Sequence, residues 1–454
     1  MNLAQRKLTD LQAYIDYLHE AGQLLRVHSP VDPIHELAGF AKAHEGGKVV
    51  LFEKVKRAPC PVLMGLYWNR QILADLFETS YEALPFKLAD EIAAWKKRPM
   101  PPVVVPRGPA NEVVESAPDL GRLPIPRHWL KDGGRYLTSS VVIARHPDTG
   151  VRNASIHRFM VKAGDRMALD LEEKGHLRAY FRIAEARRRP LEITINNGVD
   201  PSVHFAAATP GSVAPIDVDE LGIASQLLGE PLRLVRSQCV GVEGIATAQF
   251  VIEAEIVPRV RSAEGPYGEI TGYYAQRKPR WLARVKCITR RRRPVLHNIL
   301  PGLEVYHAFA LSAEAGMTAV VKRQVPGVRT VTLSLGSVPY HAVVQMRKTS
   351  NTAPRRAIRA AFDSLVFLKM VTVVDEDVNP FDPRDVEWAV ATRCRPERDI
   401  SLFRDVPGHR LNPSVIRGKW TRIGYDATVP LPRAKAFERS RMAAVDPTRF
   451  RTSG

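Results

Sequence analysis

The sequence predicts a multidomain α/β and α+β chain, with an α/β N-terminal piece, a β-rich middle and an α/β C-terminal piece. Three observations carry this. The 454 residues suffice for about three domains at roughly 150 residues each. The Pro-rich run RPMPPVVVPRGPA at 98–110 breaks the texture and marks a boundary. Short β-rich runs punctuated by Gly and Pro fill 111–305, whereas both flanks mix helical and strand-like segments. The expected domains are therefore 1–98, 111–305 and 320–454.

In chain order, the N-terminal piece offers helices at 8–25 and 86–96 and strands near Val49–Phe52 and Val62–Gly65. The middle offers strands SSVVIAR (139–145), LEITI (191–195), LRLVRSQCVGV (232–242), QFVIEAEIV (249–257) and WLARVKCITR (281–290). Turn signals at that spacing favour an antiparallel sheet or barrel. LRAYFRIAEARR (177–188) and DELGIASQLLG (219–229) read as helices between them. In the last third TVTLSLG (330–336) precedes a helix at 352–365, whose Thr352 and Pro354 are start signals. FLKMVTVV (367–374) is an apolar strand and VEWAVATRC (386–394) a helix.

Composition sets limits on function. Hydrophobic residues make up 45% and charged residues 25%, a globular balance that excludes a disordered chain or a small stapled domain. Cys60, Cys239, Cys287 and Cys394 are far apart and form no C-x-x-C pair. Neither a disulfide framework nor a structural zinc site is expected, and a reducing compartment fits. The start reads as an amphipathic helix, without the apolar stretch of a secretory signal. No uncharged apolar run reaches the ~18 residues of a membrane span, so the cytoplasm is the expected location. The net charge of +18 invites a nucleic-acid reading. However, the basic clusters Arg187–Arg189 and Arg290–Arg293 each sit before a proline and a strand-like run, as solvated turns do, and no aromatics are interleaved. An anionic substrate or phosphate-bearing cofactor would be drawn by the same field.

Two stretches carry chemistry. In SAEGPYGEITGYY (262–274), Glu264 and Glu269 flank two glycines and a proline, which shape a tight loop. Carboxylates held close push one protonation equilibrium upward and suit acid/base work; a solvated hairpin with incidental acids reads the same. In RNASIHRFMVK (152–162), period two puts Asn153, Ser155 and His157 on one face and Ala154, Ile156 and Arg158 on the other. A buried Arg needs a carboxylate, and Glu264 or Glu269 could supply it; an exposed Arg on an edge strand is the alternative. Asn153, His176 and Glu220 have ligand chemistry without a recognisable ligand spacing. A lone His or Glu at a helix start is more often a cap or surface group. Were they ligands, hard oxygens with one imidazole would suit Mn²⁺ or Mg²⁺.

Together these residues resemble the UbiD-type decarboxylase family, which uses prenylated FMN. The resemblance spans nearly the whole chain. It rests on E-G-P-Y-G-E-I-T-G-Y-Y at 264–274, N-A-S-I-H-R at 153–158, D-E-L-G-I-A-S-Q-L-L-G-E-P-L at 219–232, W-A-V-A-T-R at 388–393 and G-Y-D-A-T at 424–428. It implies a catalytic network of Glu264, Arg158 and Glu269. It also implies that Asn153, His176 and Glu220 hold Mn²⁺ or Mg²⁺ against the cofactor phosphate, with K⁺ nearby. Ser155, Ile156, His157 and Arg158 would line the cofactor, and Lys419 would contact its phosphate. The implied fold has a central split β-barrel like flavin reductases and a C-terminal α/β domain used in dimerisation. A flavin prenyltransferase would supply the cofactor.

Loss of CO₂ from an unsaturated or aromatic carbon leaves electron density that side chains cannot delocalise, so a cofactor must act as the sink. The expected activity is reversible non-oxidative decarboxylation of an aromatic, heteroaromatic or α,β-unsaturated acid. The segment 298–311 is expected to line the substrate pocket, where His307 could orient a ring hydroxyl; a structural histidine is the alternative. Competing readings are a flavin-dependent oxidoreductase, which needs no Glu–Arg–Glu proton relay, and a basic RNA-binding protein, which leaves the carboxylate loop unexplained.

Overall fold

The computed structural model describes residues 10–211, 213–432, 435–440 and 442–443. The chain is a mixed α/β multidomain protein that divides into two compact units. The larger comprises 1–316, 335–339 and 407–419, and the smaller 317–334, 340–406 and 420–454.

In the larger unit, apolar β-branched runs build a nine-stranded antiparallel sheet. Its path runs Tyr136–Leu137, Phe159–Ala163, Arg166–Leu169, Lys278–Arg290, Phe250–Glu264, Leu191–Asn197, Ser140–Arg145 and Arg152–Ile156, with Val113–Glu115 added on Lys278–Arg290. The path is open, its two end strands each having one neighbour. Ile193, Ile195, Ile252, Ala254 and Ile256 are fully buried. They pack on helix His176–Ala186, which contributes Leu177, Tyr180, Phe181 and Ala184 from one stripe. A four-stranded sheet orders Leu24–Val27, Val49–Phe52, Val62–Met64 and Leu296–His297.

The N-terminal helix runs Leu11–Glu20, shorter than the 8–25 expected. Within the described residues Asp10 caps it, and the chain turns at Gly22 (φ 68°) into the Leu24–Val27 strand. Residues 8 and 9 of that expectation lie outside the described residues. The Pro-rich run is more than a link. Val103–Val105 pairs in parallel with Arg233–Val235, since a β-branched triplet between prolines is already extended. Only Arg233–Val235 of the expected strand 232–242 forms. The next segment loops back as Glu253 accepts backbone hydrogen bonds from Gln238 and Cys239.

In the smaller unit a five-stranded sheet orders Val328–Leu333, His341–Met346, Met370–Asp375, Lys419–Ala427 and Ile400–Pro407. Helix Ala353–Ser364 packs on it through Ala357, Ile358 and Ala361, and Arg393 of helix Pro383–Arg393 is held by Asp375 and Asp377. Among the described residues, no helix is long and apolar enough to cross a membrane.

Candidate active site

Asn153, Ser155 and Ile156 lie on strand Arg152–Ile156, which pairs antiparallel with Ser140–Arg145 so that Asn153 faces Ala144 and Ser155 faces Val142. The strand stops there. His157 and Arg158 lie between the strands, just before Phe159–Ala163, so strict alternation does not reach Arg158. Glu264 ends the long strand Phe250–Glu264, opposite Lys278. Gly265 then takes φ 91°, a conformation glycine adopts without strain. Its N–H donates to the Tyr136 hydroxyl at 3.1 Å. Gly268 N–H donates to Asp132 Oδ1 at 2.9 Å, and Tyr267–Gly268 pairs with Tyr274–Ala275. This folded loop returns Glu269 to the neighbourhood of Glu264.

Arg158 lies between the two acids. Its Nε donates to Glu264 Oε1 at 3.1 Å and its Nη1 to Glu269 Oε1 at 2.9 Å. The guanidinium also stacks over the Tyr267 ring, 4.6 Å from the centroid. Glu264 is 2% exposed and Glu269 9%. One cation thus serves two buried carboxylates. Burial pushes the Glu269 carboxyl above its ordinary range; Arg158 draws it down, but Glu264 adds to the rise. Burial works against the charge on Arg158, yet Glu269 and Glu264 together hold it more firmly protonated than usual. The pair can therefore supply a proton donor fixed beside a permanent cation.

These three residues line a cavity of about 340 Å³ whose wall also includes Asp170, Arg280 and Arg410. Arg280 Nε reaches Asp170 Oδ1 at 2.8 Å, and Arg410 bridges to Glu172 at 3.0 Å. Sequence reasoning did not find Arg280, Arg410 or Asp170. Arg410 sits in the irregular segment 408–418, where no periodicity marks a side chain's direction.

A second cluster forms where helices start. His176 is the first residue of helix His176–Ala186, and Glu220 precedes helix Leu221–Leu228. The Glu220 side chain does not cap its helix. Instead Oε1 accepts from Asn153 Nδ2 at 2.8 Å and Oε2 from the Ala154 N–H at 3.0 Å. His176 Nδ1 lies 3.3 Å from Oε1. Ser155 Oγ donates to Asn153 Oδ1 at 3.2 Å and contacts His157 Nε2 at 3.0 Å. Burial lowers the pKa of His157 to about 4, so its ring is neutral and available as a hydrogen-bonding group.

This trio fits a divalent cation. Asp219 is paired with Arg152 at 2.8 Å, but neighbouring Glu220, 3% exposed, meets no Lys or Arg among the described residues. A buried carboxylate beside one amide and one imidazole is costly unless a cation joins it, and the donor set is hard oxygen plus nitrogen. A Cβ on Gly211 would come within 2.8 Å of His176 Nε2, so glycine leaves that edge of the ring clear.

The remaining residues fall elsewhere. Lys419 is exposed at the start of strand Lys419–Ala427 and, among the described residues, bonds to neither cluster through its side chain. His307 lies on helix Leu303–Gln324, 2% exposed. Its Nδ1 meets the Tyr67 carbonyl at 2.8 Å, and it is not in the wall of the Arg158 cavity.

Family models of 3-octaprenyl-4-hydroxybenzoate carboxy-lyase match the N-terminal domain at 15–92, the Rift-related domain at 103–304 and the C-terminal domain at 307–427. The chain belongs to the UbiD family of carboxy-lyases. Among relatives of this UbiD chain, anhydromevalonate phosphate decarboxylase of Methanothermobacter thermautotrophicus is 34% identical, covering 94% of the chain and 99% of its own. The UbiD-class enzyme HmfF of Pelotomaculum thermopropionicum, solved with FMN, is 40% identical with a TM-score of 0.90, covering 95% and 97% of the two chains. An evolved dimeric form of HmfF was solved with prFMN. The apo 3,4-dihydroxybenzoic acid decarboxylase of Enterobacter cloacae is 29% identical with a TM-score of 0.91, covering 97% and 98%. Several of these UbiD relatives are named decarboxylases, and the chain is an enzyme of that carboxy-lyase class.

Proposed function

We propose that the protein catalyses reversible non-oxidative decarboxylation of an aromatic, heteroaromatic or α,β-unsaturated acid with prenylated FMN. The observation that carries this is the Arg158 guanidinium bonded to both Glu264 and Glu269 at the cavity wall. Prenylated FMN, when bound, supplies the electron sink for the carbon that loses CO₂. Asn153, His176 and Glu220 would hold Mn²⁺ or Mg²⁺, with K⁺ as a companion. Ser155, Ile156, His157 and Lys419 would line the cofactor, whose phosphate charge the divalent ion would offset.

The chain's own residues do the rest. Arg158, Arg280, Arg410 and Lys278 at the wall outnumber the acids Glu264, Glu269 and Asp170 and draw in a carboxylate. Arg158 orients it bidentately. The C–C bond to the carboxylate breaks, CO₂ departs, and the Glu269 carboxyl proton forms the new C–H bond. Solvent then reprotonates Glu269. Glu264 keeps Arg158 engaged and raises the proton affinity of Glu269. His307, bonded to the Tyr67 carbonyl, keeps a structural role.

Residues 1–98, 111–305 and 320–454 act as three domains, the middle one a split barrel around the cofactor. The protein works in the cytoplasm as a homodimer or higher homo-oligomer, loaded by a flavin prenyltransferase. The test is Glu269→Gln in enzyme reconstituted with prenylated FMN. Turnover is expected to fall at least ~10²-fold, the scale of a lost general acid, with the flavin spectrum and stoichiometry kept. Near-normal decarboxylation would remove Glu269 from the mechanism.

A further inference from the structure

Cys239 and Cys287, which the sequence spacing kept apart, converge in the structure on a third group. Glu253 and Cys287 are directly opposed on the paired strands Phe250–Glu264 and Lys278–Arg290, next to a shift in register. The loop after Arg233–Val235 folds over them because both Glu253 oxygens accept from the Gln238 N–H at 2.9 Å, and Oε2 accepts from the Cys239 N–H at 2.6 Å. The two sulfurs and a carboxylate oxygen lie within 4.8 Å of one another. Glu253 and Cys287 are fully buried, whereas Cys239 is exposed.

The charge balance there is unusual for this sheet. Glu255, on the same face, is partnered by Arg284 and by Lys286. Among the described residues, Glu253 has no Lys, Arg or His partner. Its backbone hydrogen bonds account for the shape of the loop, but they give neither thiol a purpose.

We propose that Cys239, Glu253 and Cys287 bind a thiophilic divalent cation of the zinc type, at a site sharing no residue with the Arg158 cavity or the Asn153 trio. Two thiolates and one carboxylate oxygen form three corners of a tetrahedron, and the exposed side of Cys239 leaves the fourth to water. Binding releases both thiol protons and exchanges them for the dication, which leaves the net charge of the site unchanged and gives the buried Glu253 carboxylate a cationic partner. Because both thiols must ionise to bind, affinity falls as pH falls. The bound ion would clip the loop to the sheet and raise the unfolding midpoint by mass action.

The test uses full-length protein, reduced and freed of metal, titrated with Co²⁺ alone. A near-ultraviolet sulfur-to-cobalt charge-transfer band is expected to saturate at one equivalent and to vanish on adding Zn²⁺. It should be absent in Cys239→Ser, whose exposed position preserves the fold by circular dichroism, and in Cys287→Ser. It should persist in His176→Ala, because oxygen and nitrogen ligands give no such band. No band at stoichiometric Co²⁺, a band surviving Cys239→Ser, or isolation of the protein with these cysteines joined as a disulfide would each overturn the proposal.

Discussion

Glu269 and Glu264 share one cation, and that imbalance sets what each can do. Burial raises the Glu269 carboxyl and Glu264 adds to the rise, against the pull of Arg158. In the proposed mechanism the protonated form is the donor, so turnover should fall as pH rises through this raised value. The basic limb of kcat should therefore lie above the ordinary carboxylate range and should vanish in Glu269→Gln; a limb in the usual range would contradict the assignment. Arg158→Gln removes the main influence that lowers the Glu269 value, leaving the weaker pull of Arg410 and the Glu264 charge beside it. The residual activity, reduced at least ~10²-fold for want of a bidentate anchor, should show its basic limb at higher pH than wild type. Arg158→Lys should not restore the rate, because Nε and Nη1 engage two different carboxylates and an ammonium presents a single point charge. A pH–rate profile for each variant decides this.

At the scale of elements, the loop carrying Glu269 depends on backbone space. A Cβ on Gly268 would collide with the Trp129 indole, and the Gly268 N–H is tied to Asp132. Gly268→Ala should displace Glu269 and reduce kcat at least ~10-fold, given how strongly rate depends on ångström-scale placement. Cofactor binding, proposed at the Asn153 trio, should be retained; an unchanged kcat would show that the loop does not position the proposed donor. The sequence made these elements legible where one period ran long enough. The runs 139–145, 191–195, 249–257 and 281–290 became Ser140–Arg145, Leu191–Asn197, Phe250–Glu264 and Lys278–Arg290. The two acids on their Gly/Pro loop were visible as a spacing. Their meeting with Arg158 was not, because the strand ends before Arg158 and tertiary contacts decide where it points. Glu220 was misjudged by local rules alone: it begins a helix, yet its carboxylate turns to Asn153 and Ala154 rather than capping. The convergence of Cys239 on Cys287 was equally hidden, since a loop held by backbone hydrogen bonds to Glu253 leaves no periodic trace.

At the scale of the molecule, the larger unit stores neutral histidines. His204 contacts the Tyr67 hydroxyl at 2.7 Å and the Ser139 hydroxyl at 2.9 Å, and Ser139 continues to His297 at 2.7 Å. His128 meets Asn298 at 3.1 Å. Burial lowers His128 and His204 to about 3 and His307 to about 4, and holds His297 well below its ordinary value. These four rings stay neutral in the native state while the unfolded chain protonates them below about pH 6.5. Their stabilisation is therefore complete above that value and lost as pH falls toward the folded values, at about 1.4 kcal/mol per pH unit for each ring. Buried acids act in the opposite direction, Asp200 and Glu304 most strongly. Burial raises Asp200 to about 6 and Glu304 to about 7, so between about pH 5 and 6 the native state holds two protons that the unfolded chain has released. With His157, also lowered to about 4 by burial, the rings outnumber these two acids, so stability falls as pH falls through that window. The unfolding midpoint should drop on acidification from pH 6.5 to 5. His204→Gln, which keeps the Tyr67 and Ser139 hydroxyls in reach of a neutral amide, should make the drop shallower. Midpoints measured by circular dichroism across this range test the claim, and a midpoint that rises on acidification would refute it.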